Sequence, residues 1–228
     1  MTQDVQDVYD PVAQDAFEQG MALALRARDT THQDCVDRDL LEAARAGDAE
    51  AAGRALDAGA DFYRNNAGNA WDAMNFAISC DSSAVIAELV KRGYQINDTP
   101  GKGNDTPLIF ALRSEPLREQ AVRELVRLGA NVNGTKGRDD DPLCSCLAYN
   151  NKDGVKLMME LGADPSCAKQ YLAEHRGGGN LRPFFNEQDM LRLLREGEAC
   201  RQQIANGTVK PIAVQRPLKL ALSSRIAG

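Results

Sequence analysis

Thr106-Pro107-Leu108-Ile109-Phe110-Ala111 opens a stretch that closes on Gly129-Ala130-Asn131-Val132-Asn133. The opening is a helix start. A threonine hydroxyl can cap the first turn, and proline at the first helical position has no N–H to leave unsatisfied. Leucine and alanine then face inward, the alanine small enough for helices to approach closely. The close is a helix end, where glycine takes the left-handed conformation without a Cβ penalty. Cap and glycine lie 23 residues apart, a span that holds two short helices and a turn.

Outward from this stretch the pattern returns. Gly59, Gly93, Gly129 and Gly162 are spaced by 34, 36 and 33 residues. Each follows an apolar pair at helical spacing: Ala55/Leu56, Leu89/Val90, Leu125/Val126 and Leu157/Met158. The start recurs as Asp72-Ala73-Met74-Asn75-Phe76-Ala77 and as Asp141-Pro142-Leu143-Cys144-Ser145-Cys146, with Asp72 and Asp141 as caps and Cys146 as the small buried residue. In these two units cap and glycine lie 21 residues apart, so the middle unit carries two extra residues. Ser114-Glu115-Pro116, in the turn between its helices, accounts for them. A period of this size marks a stacked array, in which each repeat buries its apolar face on its neighbours.

These motifs resemble the ankyrin repeat family, with its Thr-Pro-Leu-His-x-Ala start and its Gly-Ala-Asp/Asn-Val-Asn ending. The family's usual histidine is missing; Asn75, Ile109 and Cys144 hold its slot. The resemblance spans residues 37–164 and implies an all-α solenoid of stacked antiparallel helix pairs. The expected organisation is an N-terminal segment at 1–36 with a capping helix, repeats over 37–165, and a degenerate repeat with an irregular cap or tail over 166–228. Asp10-Pro11 and the stripe Phe17, Met21, Ala24 and Leu25 place the capping helix. The first pair is expected at 39–46 and 49–58. The degenerate pair is expected at 167–176 and 187–196, ending at Gly197.

Composition limits the partners. A net charge of -6 and a pI of 5.1 argue against duplex nucleic acid and anionic membrane, and permit a basic protein partner. Six cysteines form no disulfide framework for a chain this long and read as reduced, small core residues. With two histidines there is no zinc set, and no metal or cofactor is expected. No leader and no apolar run of about 20 residues is present, so the expected compartment is the cytoplasm. His175-Arg176-Gly177-Gly178-Gly179 lacks the Gly-x-Ser-x-Gly elbow that an oxyanion loop serves, and lacks the Gly-Lys-Ser/Thr ending of a phosphate loop.

The resemblance also implies a binding face: a concave groove formed by the loop tips and the exposed side of each inner helix. The candidate contacts are Tyr63, Arg64, Trp71, Asn75, Lys102, Ile109, Arg113, Arg138, Asp139 and Tyr149. Phe62 is read as core and Tyr63 as exposed. Trp71, the sole tryptophan, could serve as contact or as loop plug. Ile109 and Tyr149 weigh most, because apolar or aromatic groups at exposed positions mark a contact. The leading reading is a non-catalytic module that captures one protein, as an inhibitor or immunity protein does. The alternative is an adaptor or host-directed effector with a second contact at 177–185. An enzyme using the 175–185 loop ranks last.

Overall fold

The structure, a computed structural model, describes residues 32–63, 71–99, 105–134, 141–174 and 186–206. Among them are ten helices and no strand. They are α1 (32–46), α2 (Ala49–Asp57), α3 (Ala73–Ser79), α4 (Ser83–Lys91), α5 (Pro107–Arg113), α6 (Glu119–Arg127), α7 (Pro142–Ala148), α8 (Lys152–Glu160), α9 (Pro165–Glu174) and α10 (Glu187–Ala205). Helices pair in chain order. The inner row stacks α3 on α5, α5 on α7 and α7 on α9, and the outer row sets α2 on α4, α4 on α6 and α8 against α10. This is a helical solenoid.

The caps explain the register. Asp72, Thr106 and Asp141 accept from the N–H groups of Asn75, Ile109 and Cys144, and thereby start α3, α5 and α7. Asp48, Ser82 and Asn151 do the same for α2, α4 and α8. The start of α6 has no cap of its own. Instead, Asp81 of the preceding repeat accepts from Ala121 N–H at 2.7 Å. The two extra residues fall where the spacing places them: α5 and α6 are joined by 114–118, against three-residue turns at 80–82 and 149–151. At the other ends, Gly59, Gly93, Gly129 and Gly162 all have φ between +94° and +108°, the left-handed region that a Cβ resists.

Between the rows lies one core. Leu40, Met74, Ile78, Ile86, Leu89, Leu108, Leu112, Leu125, Leu143, Leu147, Met158 and Leu172 are fully buried. Alanines 52, 73, 77, 111, 121 and 168 are equally inaccessible and keep the layers thin. Each large aliphatic contributes roughly 1.5–3 kcal/mol of burial.

A second ladder ties the loop tips. Four residues after each of Gly59, Gly93 and Gly129 stands a side chain that accepts from the backbone of the next repeat. Asn97 Oδ1 takes Asn131 N–H at 2.8 Å, Asn133 Oδ1 takes Asp164 N–H at 2.7 Å, and the Tyr63 hydroxyl takes Gln95 N–H at 3.3 Å. In the first repeat Asp37 on α1 serves Asp61 N–H at 2.8 Å.

Some expectations need correcting. Helix α1 is already formed at residue 32, ahead of the expected start at 39. The stripe Phe17–Leu25 and the Gly177–Phe185 segment lie outside the described residues. Gly197 does not end a helix: α10 runs through it to Ala205. A Cβ there would stand 2.6 Å from Met159 Cβ, so this glycine lets α10 approach α8. Nor are the cysteines collectively core residues. Cys146 is buried, Cys35 and Cys144 are half-buried, and Cys80, Cys167 and Cys200 are exposed, all as free thiols.

Candidate protein-binding groove

The residue just before each inner-helix cap and the residue ending each inner helix decide the groove. Trp71 precedes the Asp72 cap. Its ring meets the edge of Phe76 in its own repeat (5.5 Å, 69°) and of Phe110 in the next (5.4 Å, 86°). Phe76 and Phe110 are equivalent, each four residues after its cap. Trp71 is held at 37% exposure, the most exposed large apolar side chain among the described residues. One repeat on, Asp105 takes the Trp71 position and pairs with Arg113, which ends α5. The Arg113 guanidinium also donates to the Tyr149 hydroxyl and lies over that ring, 4.2 Å from its centroid.

Two cavities flank this arginine, and Asp105, Arg113 and Tyr149 line both. The first, about 450 Å³, is walled by Trp71, Ser79, Phe110 and Arg118. The second, about 580 Å³, runs on over Ile109, Cys144 and Ala148 to Tyr171 and Glu174 on α9. The Cys144 thiol in its wall is pushed well up by burial and by the Asp141 charge, so it stays protonated at neutral pH and is no ready nucleophile. Burial likewise pushes up the Tyr171 phenol. The groove offers ring faces, a paired cation and carboxylates. That chemistry holds side chains.

A family model for ankyrin repeats matches residues 40–136 in three copies. Residues 40–136 are thus ankyrin repeats. The chain is 34% identical over 125 residues to neurogenic locus notch homolog protein 2 of Homo sapiens, covering 54% of this chain and 5% of that protein. The match to ankyrin repeat and SOCS box protein 6 of Mus musculus is 28% over 144 residues, covering 60% of this chain and 34% of that protein. The chain thus spans a small part of the relatives it matches. Ankyrin repeats are protein–protein interaction modules, and the family is typically non-catalytic. Among the described residues no helix is long and apolar enough to cross a membrane.

Against this ankyrin frame, the candidate contacts separate. Trp71, Arg113 and Tyr149, 78 residues apart at the extremes, line one cavity. Asn75 is half-buried on α3, its N–H given to the Asp72 cap and its carbonyl accepting from Ser79 Oγ at 2.8 Å. Ile109 is not an exposed contact. At 3% exposure it is packed out of solvent and forms the floor of the larger cavity. Tyr63 is not free either: it is half-buried against Phe62 and Tyr94 (ring centroids 6.2 and 5.2 Å) and serves the loop ladder. Its register was the missed signal, since it stands where Asn97 and Asn133 stand. Arg64, Lys102, Arg138 and Asp139 lie outside the described residues.

Tyr94 is the residue that sequence reasoning overlooked. The other repeats follow their glycine with Ala60, Ala130 or Ala163; here the tyrosine hydroxyl donates to Asp72 Oδ2 at 2.8 Å. Both groups are buried, at 3% and 2% exposure. Burial pushes the Asp72 carboxyl above its ordinary range, against the bonds from Asn75 and Tyr94 that pull it down. With no family histidine in the slot, this pair links the start of the second repeat to its own end.

Proposed function

We propose that the chain captures a protein partner in its concave groove and does so without chemistry, sequestering that partner as an inhibitor or immunity protein would. The observation that carries this reading is Trp71. It is large, apolar and partly exposed, and Phe76 and Phe110 fix it beside the cavity that Arg113 and Tyr149 also line. Aromatic and arginine side chains held rigid in this way are the usual anchors of an interface. The chain's net charge of -6 favours a basic partner. The cytoplasm is the compartment we propose, because exposed thiols at Cys80, Cys167 and Cys200 persist best under reducing conditions.

The test is calorimetry on a partner isolated with the wild-type chain from its source cells. Trp71→Ala with Tyr149→Ala should weaken the complex by several kcal/mol, about 2 kcal/mol for each anchor, while the helical spectrum stays unchanged. Lys156→Ala on outer helix α8, 57% exposed, should change affinity by less than about 0.5 kcal/mol. Equal affinity in the groove variant would refute the reading.

A further inference from the structure

Ser79, Arg113 and Ala148 are equivalent: each is the last residue of a seven-residue inner helix. Arg113 fills its slot from within. Its guanidinium lies over the ring of Tyr149, from the next repeat, with Asp105 as counter-ion. One repeat on, Ala148 stops at a methyl group, and the space beside it is the cavity of about 580 Å³. The walls of that space repeat the chemistry that holds Arg113. Tyr171 supplies a second phenol, and Asp141 and Glu174 supply carboxylates. Gln170 donates to one Glu174 oxygen at 2.7 Å and orients that carboxylate at the rim.

We propose that this cavity receives an arginine side chain of the partner protein, with its guanidinium stacked on Tyr171 and paired with Glu174. The proposal rests on the groove-capture reading and names what the partner presents there. A planar guanidinium suits a ring face and a carboxylate at once, which a lysine ammonium does not. Among the described residues around the cavity, the carboxylates of Asp105, Asp141 and Glu174 outnumber the one cation, Arg113, so an anionic group is disfavoured. The molecule itself supplies the precedent, since it closes the preceding slot with its own arginine.

The experiment titrates the isotopically labelled full chain with N-acetyl-arginine methylamide and follows backbone amide NMR shifts. Shifts should gather at Ala148, Tyr171 and Glu174 and saturate in the millimolar range. The uncharged citrulline analogue should bind about fivefold more weakly or worse, as expected when a charge-assisted hydrogen bond becomes a neutral one. Glu174→Gln, a change at an exposed site, should weaken the arginine probe about threefold. Ala148→Arg should fold, as the Arg113 repeat does, and abolish the shifts by filling the slot.

Equal binding of the citrulline probe, shifts that map elsewhere, or unaltered binding in both variants would overturn the proposal. The chain's own residues 207–228 are a competing occupant, for they carry Lys210, Arg216, Lys219 and Arg225 and no acidic residue. If the shifts appear only after all four are changed to glutamine in the full chain, the tail holds the slot and the partner assignment falls. A silent titration alongside partner capture that depends on Trp71 removes the arginine slot and leaves the groove reading intact. Arginine binding alongside capture indifferent to Trp71 and Tyr149 removes the groove reading, and with it the assignment of the slot to the partner.

Discussion

The back of the stack and its groove use charge differently. On the outer helices, ion pairs run from repeat to repeat. Arg92, at the C-terminal end of α4, reaches Asp57 on α2, Arg123 on α6 reaches Glu160 on α8 at 3.0 Å, and Lys152 on α8 reaches Asp189 on α10 at 2.5 Å. Most of these side chains are well exposed, and each such pair is worth at most about 1 kcal/mol. The groove has one arginine set against a ring, a partly exposed tryptophan and two open cavities. The back spends its charges on itself, whereas the groove keeps surface that folding alone does not require. A change at the back should therefore register in stability, and a change in the groove should register in binding.

The largest way to break this comparison is Gly197→Val. The new side chain must enter the space of Met159, so the α8–α10 contact should lose roughly 1–3 kcal/mol in denaturant melts. Affinity measured on the folded fraction should not move. A loss of affinity at unchanged stability would mean that the back takes part in capture. Tyr94→Phe comes next. Removing the hydroxyl leaves Asp72 Oδ2 without its buried donor, and melts should show a loss of about 1–2 kcal/mol.

The same pair gives a pH test. The fold raises the Asp72 carboxyl above its ordinary 3.8, so the folded chain favours the protonated form. Its stabilising share is full below the unfolded pKa and is lost as pH rises through the raised one. Asp72→Asn, which can still cap α3, should therefore gain on the wild type as pH rises through the acidic range. A stability difference that is flat with pH would contradict this account. The smallest expected effect is Arg123→Ala at the back. It removes the pairs to Glu119 and Glu160 and should cost under about 1 kcal/mol, less still at high salt.

The array was legible because its signals are local and repeat. The cap at Asp72, Thr106 or Asp141 and the left-handed glycine each follow from one residue's chemistry, and the turn at 114–118 from counting. Gly197 misled for the same reason. A glycine after a helical pattern reads as a terminus, and only the position of Met159 across the helix pair reveals a close approach. In the groove, the weight placed on aromatics and arginines picked out Trp71, Arg113 and Tyr149, but not that Arg113 and Tyr149 bind each other across 36 residues. Tyr63 and Ile109 were misplaced because exposure cannot be read from residue type. The first is drawn in by Tyr94 and the loop ladder, and the second by the inner helices packed around it.

If the groove meets the partner, position 71 lies at the contact and position 156 does not. A photo-reactive benzoylphenylalanine placed at position 71 in one chain and at 156 in another, each irradiated with the isolated partner, reads the contact face directly. Substitution at 71 keeps an aromatic ring on Phe76 and Phe110, so the seat survives. The account predicts a covalent adduct from position 71 and none above background from position 156. An adduct from 156 with none from 71 would put the partner on the outer helices and contradict it.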